Sequence, residues 1–81
     1  VKLTMPSYDH GAARIMVDGH QVGYALARFS DWQAHLWTTP DAMQYPPAET
    51  ITLPTLGDLR AHLRKRLADQ GRWWTTPKED L

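Results

Sequence analysis

The sequence predicts an α+β domain, an antiparallel meander of three to four strands packed against one C-terminal helix. Three observations carry this reading. Asp18-Gly19 separates two runs in which apolar residues alternate with polar or small ones, as in a hairpin closed by a type I′ turn. A third alternating run, Trp32 to Trp37, follows after a short polar stretch. Leu56, Leu59, Leu63 and Leu67 then repeat at i, i+3, i+7 and i+11, the stripe of an amphipathic helix.

The elements follow in order. Val1, Leu3 and Met5 alternate with Lys2 and Thr4, which suits a short strand ended by Pro6. "SYDHG" reads as a loop. In the hairpin, pairing about Asp18-Gly19 sets Val17 opposite His20, Ile15 opposite Val22 and Ala13 opposite Tyr24. Those six residues share one face, continued by Leu26. A three-residue loop of Phe29, Ser30 and Asp31 then brings Trp32, Ala34 and Leu36 onto that face. The opposite face holds Arg14, Met16, Gln21, Gly23, Ala25, Ala27, Gln33, His35 and Trp37. It is flat, with small side chains at its middle. "TTPDAMQYPPAET" is a proline-rich connection, and "TITLP" is a candidate fourth strand with Ile51 and Leu53 inward. Thr55 is placed as N-cap with Asp58 at the capping-box position, and Gly71 as the glycine that ends the helix. The compact domain spans residues 1–72, and 73–81 form a tail.

Composition narrows the function classes. The chain has 81 residues and no cysteine, so it has no disulfide and no thiolate metal site. It has no apolar run long enough for a membrane helix and no signal-peptide pattern, which suits a cytoplasmic location. It begins at Val1 rather than Met, as in a fragment, a processed chain or a product of a GTG start. The absence of asparagine and the preference for Arg over Lys fit a high-GC genome, such as an actinobacterium or one of its phages.

The chemistry-bearing residues are sparse. His10, His20, His35 and His62 show no ligand spacing, and no metal or other cofactor is expected. Ser7 and Ser30 lie in no nucleophile elbow, and there is no phosphate-binding glycine loop. These features argue against an enzyme. Net charge is zero but uneven. Arg60, Arg64, Lys65, Arg66 and Arg72 face only Asp69 in residues 60–72, whereas residues 1–59 are net acidic. Arg60, Arg64, Arg66 and Arg72 are therefore the candidate nucleic-acid contacts, although overall neutrality and the Lys65–Asp69 spacing favour a solvated helix face.

In order of elements, the three strands and helix resemble the arm-binding domains of phage integrases and the plant AP2 domain. That resemblance implies groove reading by the sheet. The Arg-rich strands of those families are missing, with only Arg14 and Arg28 in comparable positions. HicB-like antitoxins share the order too, without their glycine and proline signature here.

A small non-enzymatic binding or regulatory protein is the leading expectation. It would act through protein–protein contact, self-association included, on the flat sheet face. Met16, His35, Trp37, Trp73 and Trp74 are its candidate contacts.

One tetrapeptide occurs twice, Trp37-Thr38-Thr39-Pro40 and Trp74-Thr75-Thr76-Pro77. The flanking residues do not match, so it is no domain repeat. Thr-Pro fits the N-cap and first position of a helix, and Glu79 completes a capping box in the second copy. Each copy is expected to anchor a tryptophan and redirect the chain, with Trp73 or Trp74 packed and Pro77 onward loose.

Overall fold

The computed structural model describes residues 2–75. It shows an antiparallel sheet packed with one C-terminal helix. The strands are β1 (Leu3–Thr4), β2 (Ser7–Asp9), β3 (Ala12–Val17), β4 (His20–Ala27), β5 (Trp32–Leu36) and β6 (Glu49–Leu53), and the helix is α1 (Leu56–Gln70). The sheet order is β1-β3-β4-β5-β6, with β2 also paired to β3. Pro6 divides one extended N-terminal segment into β1 and β2. It lacks an N–H, but its carbonyl accepts from the Arg14 amide at 2.9 Å. The segment expected as a loop, Ser7 to Asp9, is thus an edge strand. All three of its residues are exposed, so it carries no apolar alternation to announce it.

The Asp18-Gly19 turn forms as the sequence predicts. Both residues have positive φ, 51° and 88°, and Val17 pairs with His20. The register then departs from the simple ladder. Met16 pairs with Gln21, but Ile15 pairs with Gly23, so Val22 is an extra residue in a β-bulge. A one-residue slip exchanges the faces of everything after it. Ala25, expected on the flat face, is therefore in the core, as is the backbone of Gly23 opposite Ile15. Tyr24 and Leu26, expected in the core, lie on the other face beside Arg14 and Gln33.

The following loop is even rather than three residues long. The Arg28 amide donates to the Asp31 carbonyl at 2.7 Å, and Ala27 pairs with Trp32. Bulge and loop offset each other, so Trp32, Ala34 and Leu36 do face the core. Gly23 is required at this crossing. A Cβ there would lie 2.5 Å from the His35 carbonyl oxygen and 3.3 Å from the Leu36 Cα.

The core sits on one face of the sheet. Ala13, Ile15, Val17, Val22, Ala25, Ala34 and Leu36 meet Leu59 and Leu63 of α1, with Met5 closing one side. Leu56 and Leu67 flank that pair, partly buried. The helix is defined at both ends. The Thr55 hydroxyl accepts from the Asp58 amide at 3.0 Å, and the Gly71 amide donates to the Leu67 carbonyl at 3.2 Å with φ 80°. Each fully buried leucine contributes roughly 1.5–3 kcal/mol. Among the described residues no helix is long and apolar enough to cross a membrane.

After α1 the chain returns to the sheet. Trp73 and Trp74 meet edge to face, with ring centres 4.9 Å apart, and both pack against the core. The Trp73 indole N–H donates to the Val22 carbonyl at 3.2 Å. The Thr75 amide and hydroxyl both donate to the Thr38 carbonyl at 2.7 Å. Thr38 and Thr75 hold the same place in the two WTTP copies, so the copies meet. The first copy begins no helix, because residues 38–42 form turns and bends. Pro77 onward and the Thr76–Glu79 capping box lie outside the described residues.

Candidate functional site

The sheet face turned away from α1 carries the candidate site. Register places Arg14, Tyr24, His35 and Thr50 side by side across β3, β4, β5 and β6. The next row holds Leu26, Gln33 and Thr52. Tyr24 and His35 stack with ring centres 4.9 Å apart and planes only 3° from parallel. At the β2 edge the Arg14 guanidinium sits 4.6 Å from the centre of the exposed Tyr8 ring, a cation–π pair. The Gln33 side chain joins the rows. Its amide N–H donates to the Thr52 hydroxyl at 3.4 Å, and its carbonyl oxygen lies 2.9 Å from His35 Nε2.

This arrangement is a row of planar groups, each partly exposed, on a rigid four-strand platform. It presents π-faces, one guanidinium and hydroxyl and amide donors, a combination suited to contact. His35 is held neutral more strongly than an ordinary histidine, since burial lowers its pKa. Its Nδ1 is buried and meets no partner among the described residues.

The residues expected at this face are only partly brought together. His35 and the partly buried Met16 lie on it. Trp37 has its ring centre 6.1 Å from that of Tyr24 on this face, but it is only 3% exposed and outside the main core cluster. Its indole N–H is also buried without a partner among the described residues. The 38–48 connection is held against that end. Asp41 accepts from the Gln21 amide at 2.9 Å and meets His20 Nδ1 at 2.7 Å, while the Gln44 side chain accepts from the Thr38 amide at 2.8 Å. Those bonds from His20 and Gln21 hold the Asp41 carboxyl below its ordinary pKa. Trp73 and Trp74 lie with the core on the helix side instead. Tyr8, Tyr24 and Leu26 are the members sequence reasoning missed; Arg14 is expected on this face but not among its candidate contacts. An isolated Gly23 inside a strand was the signal for the bulge that displays Tyr24 and Leu26.

The basic helix is partly neutralised. Arg66 meets Glu49 at 2.7 Å and lies 5.7 Å from the Trp73 ring centre, and Lys65 meets Asp69 at 2.7 Å. Arg60, Arg64 and Arg72 are exposed. A shallow groove of about 370 Å³ runs between α1 and the start of β6, lined by Glu49, His62, Lys65, Arg66, Asp69 and Gln70. Its charges are mixed, which does not suit a polyanion. Among the described residues no three His, Asp or Glu side chains gather to hold a metal ion.

No protein-family model, curated protein or solved structure matches the chain. The reading of function therefore rests on the site itself.

Proposed function

We propose that this chain is a small non-enzymatic binding or regulatory protein that meets a protein partner through the sheet face turned away from α1. One observation supports this above the others. The helix serves only one face of the sheet, while the second face aligns Arg14, Tyr24 and His35 across three strands, with Tyr8 over Arg14. Stacked, partly exposed rings beside a guanidinium are the residue types that dominate protein interfaces. The exposed Phe29, Met43 and Tyr45 extend the apolar surface in the connecting loops.

The test compares the parent chain with an Arg14→Ala, Tyr24→Ala double variant as bait in host lysate. Both are read by mass spectrometry, with and without nuclease, at about 0.1 M and about 0.5 M salt. The expected result is a protein captured by the parent, lost with the variant, and retained through nuclease and salt. Identical captures would sink the face assignment. Capture that nuclease or salt abolishes would move the function to Arg60, Arg64 and Arg72.

A further inference from the structure

The two edges of the sheet differ. One is β1 and β2, short and interrupted by Pro6. Broken edges of this kind resist pairing with another chain. The other is β6, a continuous strand, Glu49-Thr50-Ile51-Thr52-Leu53, paired on one side only among the described residues.

The ladder tells which backbone groups of β6 are unused. The Trp37 amide donates to the Val22 carbonyl, and the Arg28 amide to the Asp31 carbonyl. These bonded pairs bracket the β4–β5 ladder. Since bonded and non-bonded pairs alternate in antiparallel sheets, Gln33 and His35 turn their backbone groups toward β4. Trp32, Ala34 and Leu36 turn theirs toward β6. The Ala48 amide donating to the Leu36 carbonyl agrees. On β6 the residues facing β5 are therefore Leu53, Ile51 and Glu49, by their pairing with those three. Thr50 and Thr52 direct their N–H and C=O groups outward. The next outward position toward the helix is Pro54, which has no N–H to offer.

We propose that β6 pairs with β6 of a second copy of this chain, in antiparallel register about Ile51. In that register Thr50 lies opposite the second copy's Thr52, and the four outward N–H and C=O groups of each copy's two threonines satisfy one another. No other register of this strand with itself bonds both threonines of both copies. Thr–Thr is a favourable cross-strand pair. Glu49 falls opposite Leu53, so no like charges are opposed, and Glu49 is already neutralised by Arg66. Ile51 meets its own counterpart as a non-bonded pair on the helix side, where it and Leu53 are only half-buried. Self-complementarity in backbone parity, side chains and charge selects a second copy over an unrelated strand. The pairing uses the β6 backbone and its threonines, not Arg14, Tyr24 or Tyr8 on which the proposed partner face rests, so each assignment can fail without the other.

Two variants test it. Thr52→Pro removes one outward donor and no backbone bond to β5, only the long 3.4 Å side-chain bond from Gln33, a substitution that edge strands tolerate. Sedimentation velocity over a dilution series is expected to show a weak dimer for the parent. In Thr52→Pro the dissociation constant should rise at least about tenfold. Thr50→Lys with Thr52→Lys, which sets lysines opposite lysines, should give a monomer with unchanged circular dichroism. Ile51→Cys supplies a single cysteine at the non-bonded central pair, where Cα atoms approach to about 4.5 Å, within disulfide reach. Mild oxidation should link it into dimers much faster than Thr52→Cys. A parent chain that is monomeric at every concentration overturns the proposal and leaves another strand as the occupant of β6. So do equal rates of cross-linking for the two cysteine variants. A dimer indifferent to Thr52→Pro but broken by Tyr24→Ala would overturn it in favour of a face-to-face pair.

Discussion

Gly23→Ala is the sharpest perturbation of the fold. The added Cβ would stand 2.5 Å from the His35 carbonyl oxygen and 3.3 Å from the Leu36 Cα, both backbone atoms of the neighbouring strand. An ordinary carbon–oxygen contact needs several tenths of an ångström more, and backbone in mid-sheet cannot swing aside as a side chain can. Either β4 and β5 separate locally or the bulge migrates. Overpacking of this kind costs about 1–3 kcal/mol, occasionally more, against a total stability of roughly 4–12 kcal/mol for a chain of this size. Two other glycines calibrate the result. At Gly19 a Cβ meets nothing, but φ is 88°, so Gly19→Ala should cost about 1–2 kcal/mol through backbone strain alone. At Gly57, near the start of α1, the nearest contact is an ordinary 3.7 Å, so Gly57→Ala should be neutral or stabilise by up to about 1 kcal/mol. Urea unfolding followed by tryptophan fluorescence gives all three. The expected order of midpoints is Gly57→Ala highest, then Gly19→Ala, then Gly23→Ala. A Gly23→Ala protein unfolding with the parent would refute the close crossing and the bulge register with it.

Other substitutions probe other parts of the argument. Leu63→Asp should abolish the cooperative thermal transition, because an unpaired carboxylate would replace a fully buried leucine; calorimetry reads this directly. Trp73→Phe keeps a ring but removes the donor to the Val22 carbonyl. It should lower stability by about 0.5–1.5 kcal/mol, near the lower end because the Trp37 amide still bonds that oxygen. Burial lowers the His35 pKa, so the unfolded chain binds that proton more readily than the folded one. The contribution is intact above the ordinary histidine value near about 6.5 and erodes as pH falls below it. His35→Gln should therefore flatten the loss of urea midpoint between about pH 7.5 and about pH 5.5; equal slopes would contradict the burial. Asp41→Ala should release the 38–48 connection, seen as faster hydrogen exchange at the Gln21 amide that the carboxylate holds.

The fold was largely legible because its strongest signals are local. Asp18-Gly19 demands positive φ at both positions, and Thr55, the leucine stripe and Gly71 mark α1 from cap to cap. What the sequence hid depends on parity or on distant contacts. One extra residue at Val22 exchanged the faces of Tyr24, Ala25 and Leu26, and alternation alone cannot place such a residue. Gly23 was the available hint. Ser7 to Asp9 looked like a loop because an exposed edge strand needs only one neighbour and no apolar pattern. The depth of Trp37 was illegible for a different reason. Alternation put it on the sheet's second face, but the path of a proline-rich connection pinned through Asp41 is set by a partner twenty residues earlier.

The Val22 carbonyl takes on a further meaning from its two donors, Trp37 at the end of β5 and Trp73 beyond α1. In the register with the extra residue at Val22, that oxygen points where both reach it. A hairpin slipped by one residue would present a different carbonyl, and the last tryptophans would find no acceptor there. The end of the chain thus proofreads the pairing made at its beginning. Docking of Trp73 is thereby coupled to the registration of β3 with β4.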